Sequence, residues 1–316
     1  MISVNKLALN LVKEVINKKE ELNIAYKELP SGAKILDMGI KVKGGYEAGR
    51  YLAEICMGGL GKVNFYLADY NGITLPSINV YTDYPSIALL ASQFAGWRIA
   101  TKDYFALGSG PARALSLKPK EIYEKIGYRD DSSEAILVLE GDKEPSEEVL
   151  ELVAKECKVN LENLYILIAP TSSIAGSIQI SSRVLEAGLH KLSELNLDLS
   201  KVLYGMGRAP IAPIHPKFVQ AMGRTNDVIL YAGEVYFTVD YEKEEDLLSI
   251  LEKAPSSSSP SFGKPFYQIF KEANYDFYKI DPLLFAPAKY IINNKRSGRT
   301  FIYGNFRIDI LKDSLL

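Results

Sequence analysis

Residues 165–192 place three kinds of segment in direct succession, and this order restricts the possible folds strongly. The apolar run at 165–169 is typical of a buried strand. A loop of small residues begins at Pro170, and a helical pattern that includes residues 180–192 follows it. A buried strand that passes through a short loop into an amphipathic helix predicts a layered α/β fold.

The same alternation of elements recurs along the rest of the chain. Apolar residues at helical spacing predict a first helix over 4–16, with Ser3 as its N-cap. Strands are predicted at 33–37, 64–68 and 77–81, and a helix at 47–57. The length of 316 residues favours two domains, at about 100–200 residues each. We predict two mixed α/β lobes with a ligand cleft between them. The first domain is residues 1–160 and includes the N-terminal helix, and the second is residues 161–316 and includes an aromatic C-terminal segment. Segments of one range can belong to the other domain.

Two stretches of the sequence resemble each other and suggest a degenerate internal duplication. Gly-rich turns are predicted at 108–113 and 205–210, and each is followed by a predicted strand, at 135–139 and 228–231. Chance recurrence of turn residues explains the same pattern, so both interpretations stay open.

Charge and composition exclude several classes of protein. The net charge of −2 gives no basic excess for a nucleic-acid backbone. The first 19 residues lack an apolar signal segment, and no apolar run is long enough for a bilayer, which predicts a cytoplasmic chain. Two cysteines and two histidines, far apart, predict buried thiols and no metal site. The usual cofactor-binding glycine motifs are missing, and no cofactor is expected.

The predicted helix that follows the apolar strand and the small-residue loop carries the strongest candidate for chemistry. Its polar face groups Gln179, Arg183, Glu186 and His190, and Arg183 and Glu186 are three residues apart. A carboxylate can remove a proton from an attacking water, and a neighbouring guanidinium can orient that carboxylate. The alternative is an ordinary solvent-facing ion pair, worth about 0.2–0.5 kcal/mol.

Candidate binding residues surround this pair in the sequence. Hydroxyls and cations suit an anionic group, and aromatic side chains suit a flat heterocycle. The candidates are Ser172, Ser173, Gln179, Arg208, Ser256, Ser257, Phe262, Lys264 and Phe285. Arg208 is expected in an exposed loop. The serine-rich stretch at 256–266 is either a disordered linker or an ordered loop, and its prolines and aromatics favour order. Ordinary loop and core positions are the alternative interpretation.

Seven segments spread over the chain resemble the methenyltetrahydromethanopterin cyclohydrolases of methanogenic and related archaea. They are VNKLA at 4–8, GGYEAG at 44–49, GSGPAR at 108–113, SSRVLE at 181–186, YGMGRAPIAP at 204–213, the serine-rich loop at 256–266 and DPLLFAPA at 281–288.

The resemblance implies a hydrolase that acts without a metal or redox cofactor. It implies reversible addition of water to 5,10-methenyltetrahydromethanopterin to give the 5-formyl form, two α/β domains with a pocket between them, and a homotrimer. The family's catalytic Arg and Glu fall on Arg183 and Glu186. The substrate carbon bridges two nitrogens as a cation and is already electrophilic, so a positioned water and a base suffice. Phosphate and carboxylate groups on its tail suit Arg208, Lys264 and the serine loops.

Two other functions remain open from the residues alone. One is a cyclohydrolase that acts on a folate or another pterin. The other is a non-catalytic protein that binds a phosphorylated pterin through the serine-rich loop and the aromatic side chains.

Overall fold

The computed structural model describes residues 2–276 and 279–316. These residues form eleven α-helices and two mixed six-stranded sheets, so the predicted mixed α/β class is confirmed. The chain divides into two compact units, one of Met1–Lys62 with Ile87–Gln179 and one of Val63–Ser86 with Ile180–Leu316. The sequence-based division at residue 160 stays a prediction.

The regular elements alternate along the chain. The helices are α1 Val4–Asn17, α2 Tyr46–Cys56, α3 Arg113–Ser116, α4 Lys120–Ile126, α5 Glu147–Cys157, α6 Ile174–Ser181, α7 Val184–Glu194, α8 Phe218–Ala232, α9 Glu244–Leu251, α10 Phe266–Glu272 and α11 Ile308–Leu315. The strands are β1 Ala25–Glu28, β2 Lys34–Asp37, β3 Gly61–Asp69, β4 Thr74–Thr82, β5 Trp97–Ala100, β6 Phe105–Ser109, β7 Ala135–Glu140, β8 Leu164–Ala169, β9 Val202–Pro210, β10 Glu234–Val239, β11 Lys289–Asn294 and β12 Thr300–Gly304. A π-helical segment covers Ser86–Gln93.

The first unit is built around a sheet in the order β1-β2-β8-β7-β6-β5. The central strands β2, β8 and β7 are parallel, and the outer pairs are antiparallel. Alternate residues of the central strands pack into two separate apolar clusters, one shared with α1 and α2 and the other with α5. Helices therefore cover both faces, which is the usual arrangement for parallel strands and explains why β8 is apolar throughout.

Helix α1 is confirmed, and a buried asparagine fixes it in place. The Ser3 hydroxyl accepts a hydrogen bond from the Lys6 amide at 3.2 Å and caps the helix. Asn5 is fully buried, and its amide donates to the Asp130 carboxylate at 2.7 Å while its oxygen accepts from the Ile136 amide at 3.0 Å. These bonds join the start of α1 to the start of β7.

The second unit contains a sheet in the order β12-β11-β10-β9-β4-β3. Strands β10 and β11 are parallel, whereas β4–β9, β9–β10 and β11–β12 are antiparallel. Helix α7 packs on this sheet at a line of glycines. A Cβ added at Gly207 would lie 3.3 Å from Leu185, and one at Gly188 would lie 3.1 Å from Val235. The glycines of the GMG stretch thus allow a close approach between helix and sheet.

Three predictions made from local pattern are wrong. The predicted turn at 205–210 lies in strand β9, and the predicted strand at 228–231 lies in helix α8. The alternating pattern of residues 300–310 predicts a strand over that whole range, whereas β12 ends at Gly304 and α11 begins at Ile308. Ten of the fifteen residues of α8 are buried, and an apolar run buried on most sides carries no helical periodicity. The two stretches paired as a duplication therefore differ in structure.

Candidate active site

The predicted polar helix is interrupted directly before Arg183 and Glu186. Helix α6 ends at Ser181 and α7 begins at Val184, so the single helix expected over this region is wrong. The Arg183 amide donates to the Ile180 carbonyl at 3.0 Å, three residues back, which gives a tight turn at the junction. Arg183 is the N-cap residue of α7, and Glu186 lies in its first turn.

Arg183 and Glu186 form a buried ion pair. The Arg183 Nη1 lies 3.3 Å from the Glu186 Oε2, and the two side chains are 10% and 7% exposed. The solvent-facing alternative is therefore wrong. The partial positive charge at the start of α7 also attracts the Glu186 carboxylate. The arrangement presents an acceptor oxygen beside a fixed donor in a region that excludes most water.

Three predicted binding residues lie in the first unit. Ser173 caps α6, because its hydroxyl accepts from the Gly176 amide at 3.1 Å and donates to the Pro170 carbonyl at 2.8 Å. Ser172 is half-buried in the same turn. Gln179 is buried on α6 and donates from Nε2 to the Cys56 sulfur at 3.4 Å. The sequence grouped Gln179 with Arg183 on one helix face, but the residues belong to different helices.

The serine-rich loop is ordered and packs within the second unit, so the ordered alternative is confirmed. Ser256 is buried and donates to the Leu230 carbonyl at 2.6 Å, whereas Ser257 is exposed. The Phe262 ring lies 5.1 Å from the ring of Tyr231. The Tyr231 hydroxyl donates to the Lys264 carbonyl at 2.6 Å. Tyr231 thus contacts both Phe262 and Lys264, the aromatic and the cationic candidate of this loop.

Two side-chain contacts complete this part of the second unit. The Lys264 ammonium pairs with the Glu272 carboxylate. The Phe285 ring lies 5.7 Å from the buried Phe266 ring, at an interplanar angle of 59°. The loop after residue 255 and the turn after residue 281 therefore share an aromatic cluster.

The prediction that Arg208 lies in an exposed loop is wrong, because Arg208 lies in strand β9. Its Nε donates to the Glu234 Oε2 at 2.6 Å, and the Lys289 ammonium lies 2.8 Å from the other oxygen of Glu234. Burial alone would raise the pKa of Glu234, but the hydrogen bonds from Lys289 and Arg208 outweigh it and lower that pKa. Arg208 is thus part of a three-residue charge ladder across β9, β10 and β11.

The sequence analysis missed Lys191, which is buried on α7 between Glu186 and the helix end. Its ammonium donates to the Leu283 carbonyl and to the Ser258 hydroxyl, the latter at 3.4 Å. Burial lowers the pKa of Lys191 to about 8, although the charge of Asp281 opposes that change. Lys191 is seven residues, or about two helical turns, after Val184, and therefore lies on the apolar face of α7. A lysine on an apolar helix face was the sequence signal that could have indicated a buried ammonium.

Neither a metal centre nor a membrane segment is found in the described parts of the chain. Across residues 2–276 and 279–316, no three His, Cys, Asp or Glu side chains are grouped as metal ligands would be. None of the helices described there combines the length and the apolar character that a bilayer span requires. Cys56 and Cys157 are buried thiols, as predicted, and burial raises the pKa of Cys157 to about 12.

Comparison with known proteins identifies relatives along the whole chain. The family model described as "Cyclohydrolase (MCH)" matches residues 3–315. A methenyltetrahydromethanopterin cyclohydrolase from Methanococcoides burtonii is 50% identical over 314 residues, which cover 99% of this chain and 98% of the relative. A protein of the same name from Methanocaldococcus jannaschii is 48% identical over 318 residues, covering 100% and 98%. Another, from Methanothermobacter thermautotrophicus, is 47% identical over 317 residues, covering 99% of each chain.

Proposed function

The chain belongs to the methenyltetrahydromethanopterin cyclohydrolase family, and from this premise we propose that it catalyses the reversible hydrolysis of 5,10-methenyltetrahydromethanopterin to the 5-formyl form. The observation that carries the proposal is the buried Arg183–Glu186 pair at the start of α7. The family relationship supports the reaction, and the choice of these two residues rests on the resemblance of segment 181–186 and on their burial as an ion pair.

In the proposed mechanism, Glu186 is the general base. The substrate carbon lies between two nitrogens and shares their positive charge, so water can attack it directly. Glu186 accepts one proton of the water as the new carbon–oxygen bond forms. It then returns that proton to the nitrogen whose bond to the carbon breaks, while the hydroxyl proton of the adduct passes to solvent. The formyl group stays on the other nitrogen, and one proton is released overall. Arg183 holds the carboxylate in place through Nη1 and can donate to the developing oxygen. Alone it would repel the cationic substrate, but its pairing with Glu186 offsets that charge.

The residues that bind the substrate remain proposals. We assign the anionic tail to Arg208, Lys264 and the hydroxyls of Ser172, Ser173, Ser256 and Ser257. We assign the ring system to Phe262, Phe285 and Gln179. The half-buried rings of Phe262 and Phe285 support the second assignment, because a ring that is already held in place loses little freedom on stacking. For Ser256 the hydroxyl is engaged internally, so its contribution would come through positioning of the loop.

The cellular setting is proposed on the same basis. The resemblance implies a cytoplasmic homotrimer that takes part in archaeal one-carbon metabolism and methanogenesis. It implies a small-molecule substrate, with neither a nucleic acid nor a membrane as partner. Activity on a folate or another pterin, and binding without catalysis, are the two alternatives that the assay below must separate.

The proposal is tested by following loss of the methenyl chromophore in a spectrophotometer. Glu186→Gln keeps the shape of the side chain but removes the base, so kcat should fall by at least about 100-fold. Glu194→Gln, at the exposed end of the same helix, is the matched control and should stay close to wild type. Normal turnover by Glu186→Gln would remove this residue from the mechanism. No chromophore loss with the wild-type chain would favour a binding protein.

Two further measurements sharpen the assignment. Turnover of methenyltetrahydrofolate should be much lower than that of methenyltetrahydromethanopterin, and the reverse order would support the folate alternative. Arg183→Lys preserves the charge but loses the planar donor group. It should therefore lower kcat clearly while changing the thermal stability little. A large stability loss with normal kinetics would instead indicate a purely structural ion pair.

A further inference from the structure

The buried side chain of Lys191 joins helix α7 to two loops of the second unit. Its ammonium donates to the Leu283 carbonyl and, at 3.4 Å, to the Ser258 hydroxyl. Ser258 lies in the serine-rich loop at 256–266, and Leu283 lies in the turn at 281–288. One side chain therefore contacts three segments of the same unit that are distant from one another in the sequence.

Further hydrogen bonds join the two loops to each other. The Ser259 hydroxyl donates to the Asp281 Oδ2 at 2.5 Å, and the Leu283 amide donates to the Asp281 Oδ1 at 3.1 Å. Because Ser259 follows Ser258 directly, the path that leaves Lys191 through the turn returns to it through the loop. We call these five residues the Lys191 network. A closed network of this kind restricts each member, since moving one segment stretches the bonds of the others.

The Lys191 network adjoins both phenylalanines that we assigned to the ring system of the substrate. The Phe262 amide donates to the carbonyl of Ser259 at 3.1 Å, so Phe262 is bonded to a member of the network. The Phe285 amide donates to the Pro282 carbonyl at 3.3 Å, and Pro282 lies between the two network residues of that turn. The network therefore determines where the two phenylalanines are held.

The helix that carries Lys191 also carries the proposed catalytic pair. Arg183 is the N-cap of α7, Glu186 lies in its first turn, and Lys191 follows Glu186 by five residues. Helix α7 is fixed against the sheet, because a Cβ added at Gly188 would lie 3.1 Å from Val235. A link between this helix and the two loops thus sets the position of the phenylalanines relative to the catalytic pair.

Stability alone does not explain an ammonium at this place. Burial lowers the pKa of Lys191 to about 8, and the charge of Asp281 opposes that change only in part. The charged form is thus held at a cost in hydration. Replacing a buried charge by an apolar side chain of similar volume is often neutral or stabilising. What the apolar side chain cannot supply is a pair of directional bonds that select one arrangement of the two loops.

We propose that Lys191 is a positioning residue that holds the serine-rich loop and the 281–288 turn in the arrangement that receives the ring system of the substrate. This inference rests on the proposed function, which assigns the phenylalanines and the catalytic pair. Without the ammonium the substrate must order the two loops itself, and the free energy of that ordering is taken from binding. Because Arg183 and Glu186 stay in place on α7, KM rises and kcat changes little.

Steady-state kinetics with methenyltetrahydromethanopterin at pH 7.5 test the proposal. Lys191→Met has a side chain of similar length without a donor, so KM should rise at least about 10-fold while kcat stays within about threefold of wild type. Ser258→Ala removes one of the two acceptors and should raise KM about threefold. Asn294→Ala is the matched control, because its buried amide bonds to Tyr241 and Glu244 elsewhere in the same unit. It should keep the wild-type KM even where thermal stability falls.

Hydrogen exchange followed by mass spectrometry gives a second readout that requires no turnover. Amides at 256–262 and 283–285 should exchange faster in Lys191→Met than in wild type, and those of α7 should not change. Unchanged exchange in both segments would overturn the proposal, as would a wild-type KM in both network variants or a fall in kcat alone. If Lys191→Met does not fold, KM and exchange of Ser258→Ala decide.

The wild-type chain separates failure of this inference from failure of the proposed function. A wild-type chain that does not turn over methenyltetrahydromethanopterin would refute the proposed function and this inference with it. An active wild-type chain whose network variants keep its KM would refute the positioning role of Lys191 alone.

Discussion

Lys191→Met is expected to remove a contribution to folding stability that increases as the pH rises above about 8. Lys191 is 2% exposed, and its ammonium is held by two neutral acceptors, the Leu283 carbonyl and the Ser258 hydroxyl. Burial lowers its pKa to about 8, whereas the unfolded chain keeps the ordinary value of 10.5. Between these pH values the unfolded state binds more protons than the folded state, so stability increases as the pH rises.

The size of this effect follows from the two pKa values. At about 1.36 kcal/mol per pH unit, a lowering from 10.5 to about 8 corresponds to roughly 3 kcal/mol between pH 8 and pH 10.5. At pH 7.5 the variant gains by removing a buried charge but leaves the Leu283 carbonyl and the Ser258 hydroxyl without this donor, at about 1–3 kcal/mol each. The two effects oppose each other, so wild type and variant should be of similar stability at that pH.

The measurement is equilibrium unfolding by guanidinium at pH 7.5, 9 and 10.5, at one fixed protein concentration. The difference in the free energy of unfolding between wild type and Lys191→Met isolates this lysine, because all other titrating groups are common to both chains. Lys243→Met, an exposed lysine of the same unit, is the control and should show a constant difference. A difference for Lys191→Met that does not change with pH would refute the reasoning.

Two more substitutions probe the core of the second unit. Burial raises the pKa of Asp227 to about 7 from 3.8, so ionisation of its carboxyl should destabilise the fold as pH rises from about 4 to 7. Asp227→Asn removes that dependence, and its stability relative to wild type should increase from pH 5 to pH 8 in denaturant unfolding. Gly207→Val would crowd Leu185, which lies 3.3 Å from the added Cβ, and should cost about 1–3 kcal/mol in thermal unfolding. Gly45→Ala, with no atom within 4 Å of its Cβ, is the control and should have little effect.

Elements with a clear local signal could be predicted from the sequence. The capped amphipathic pattern of residues 4–16 gives α1, and the apolar run at 165–169 lies within β8. In both cases the signal lies in the element's own residues: a cap and a helical periodicity for α1, and a short apolar run between loops for β8. The same signals gave β3 and β4 with bounds within a few residues of those observed.

The predictions that failed depended on contacts far away in the sequence. Residues 228–231 form a helix because α8 packs against β9, α10 and α11, which no local pattern shows. The junction between α6 and α7 is another case. The Ser181 hydroxyl accepts from the Ala212 amide at 3.4 Å, thirty-one residues later, and so offers the chain an alternative to continuing the helix. Neither glycine nor proline marks that position.

The same junction sets the electrostatic surroundings of Arg183 and Glu186. In one continuous helix, Arg183 and Glu186 would be ordinary neighbours in mid-helix, far from either end. The break makes Arg183 the N-cap of α7 and places Glu186 in the first turn, where unpaired backbone amides favour a negative charge. A base that accepts a proton from water must be an anion, and burial opposes that charge. Arg183 and the start of α7 both counteract the effect of burial on the carboxylate, and a cationic substrate carbon would do so as well.

When water adds to that carbon its positive charge disappears, so the carboxylate loses one favourable neighbour at the moment when it takes up the proton. In the proposed mechanism, proton transfer to Glu186 and formation of the carbon–oxygen bond therefore favour each other, which is what the reversible reaction requires of a single acid–base group.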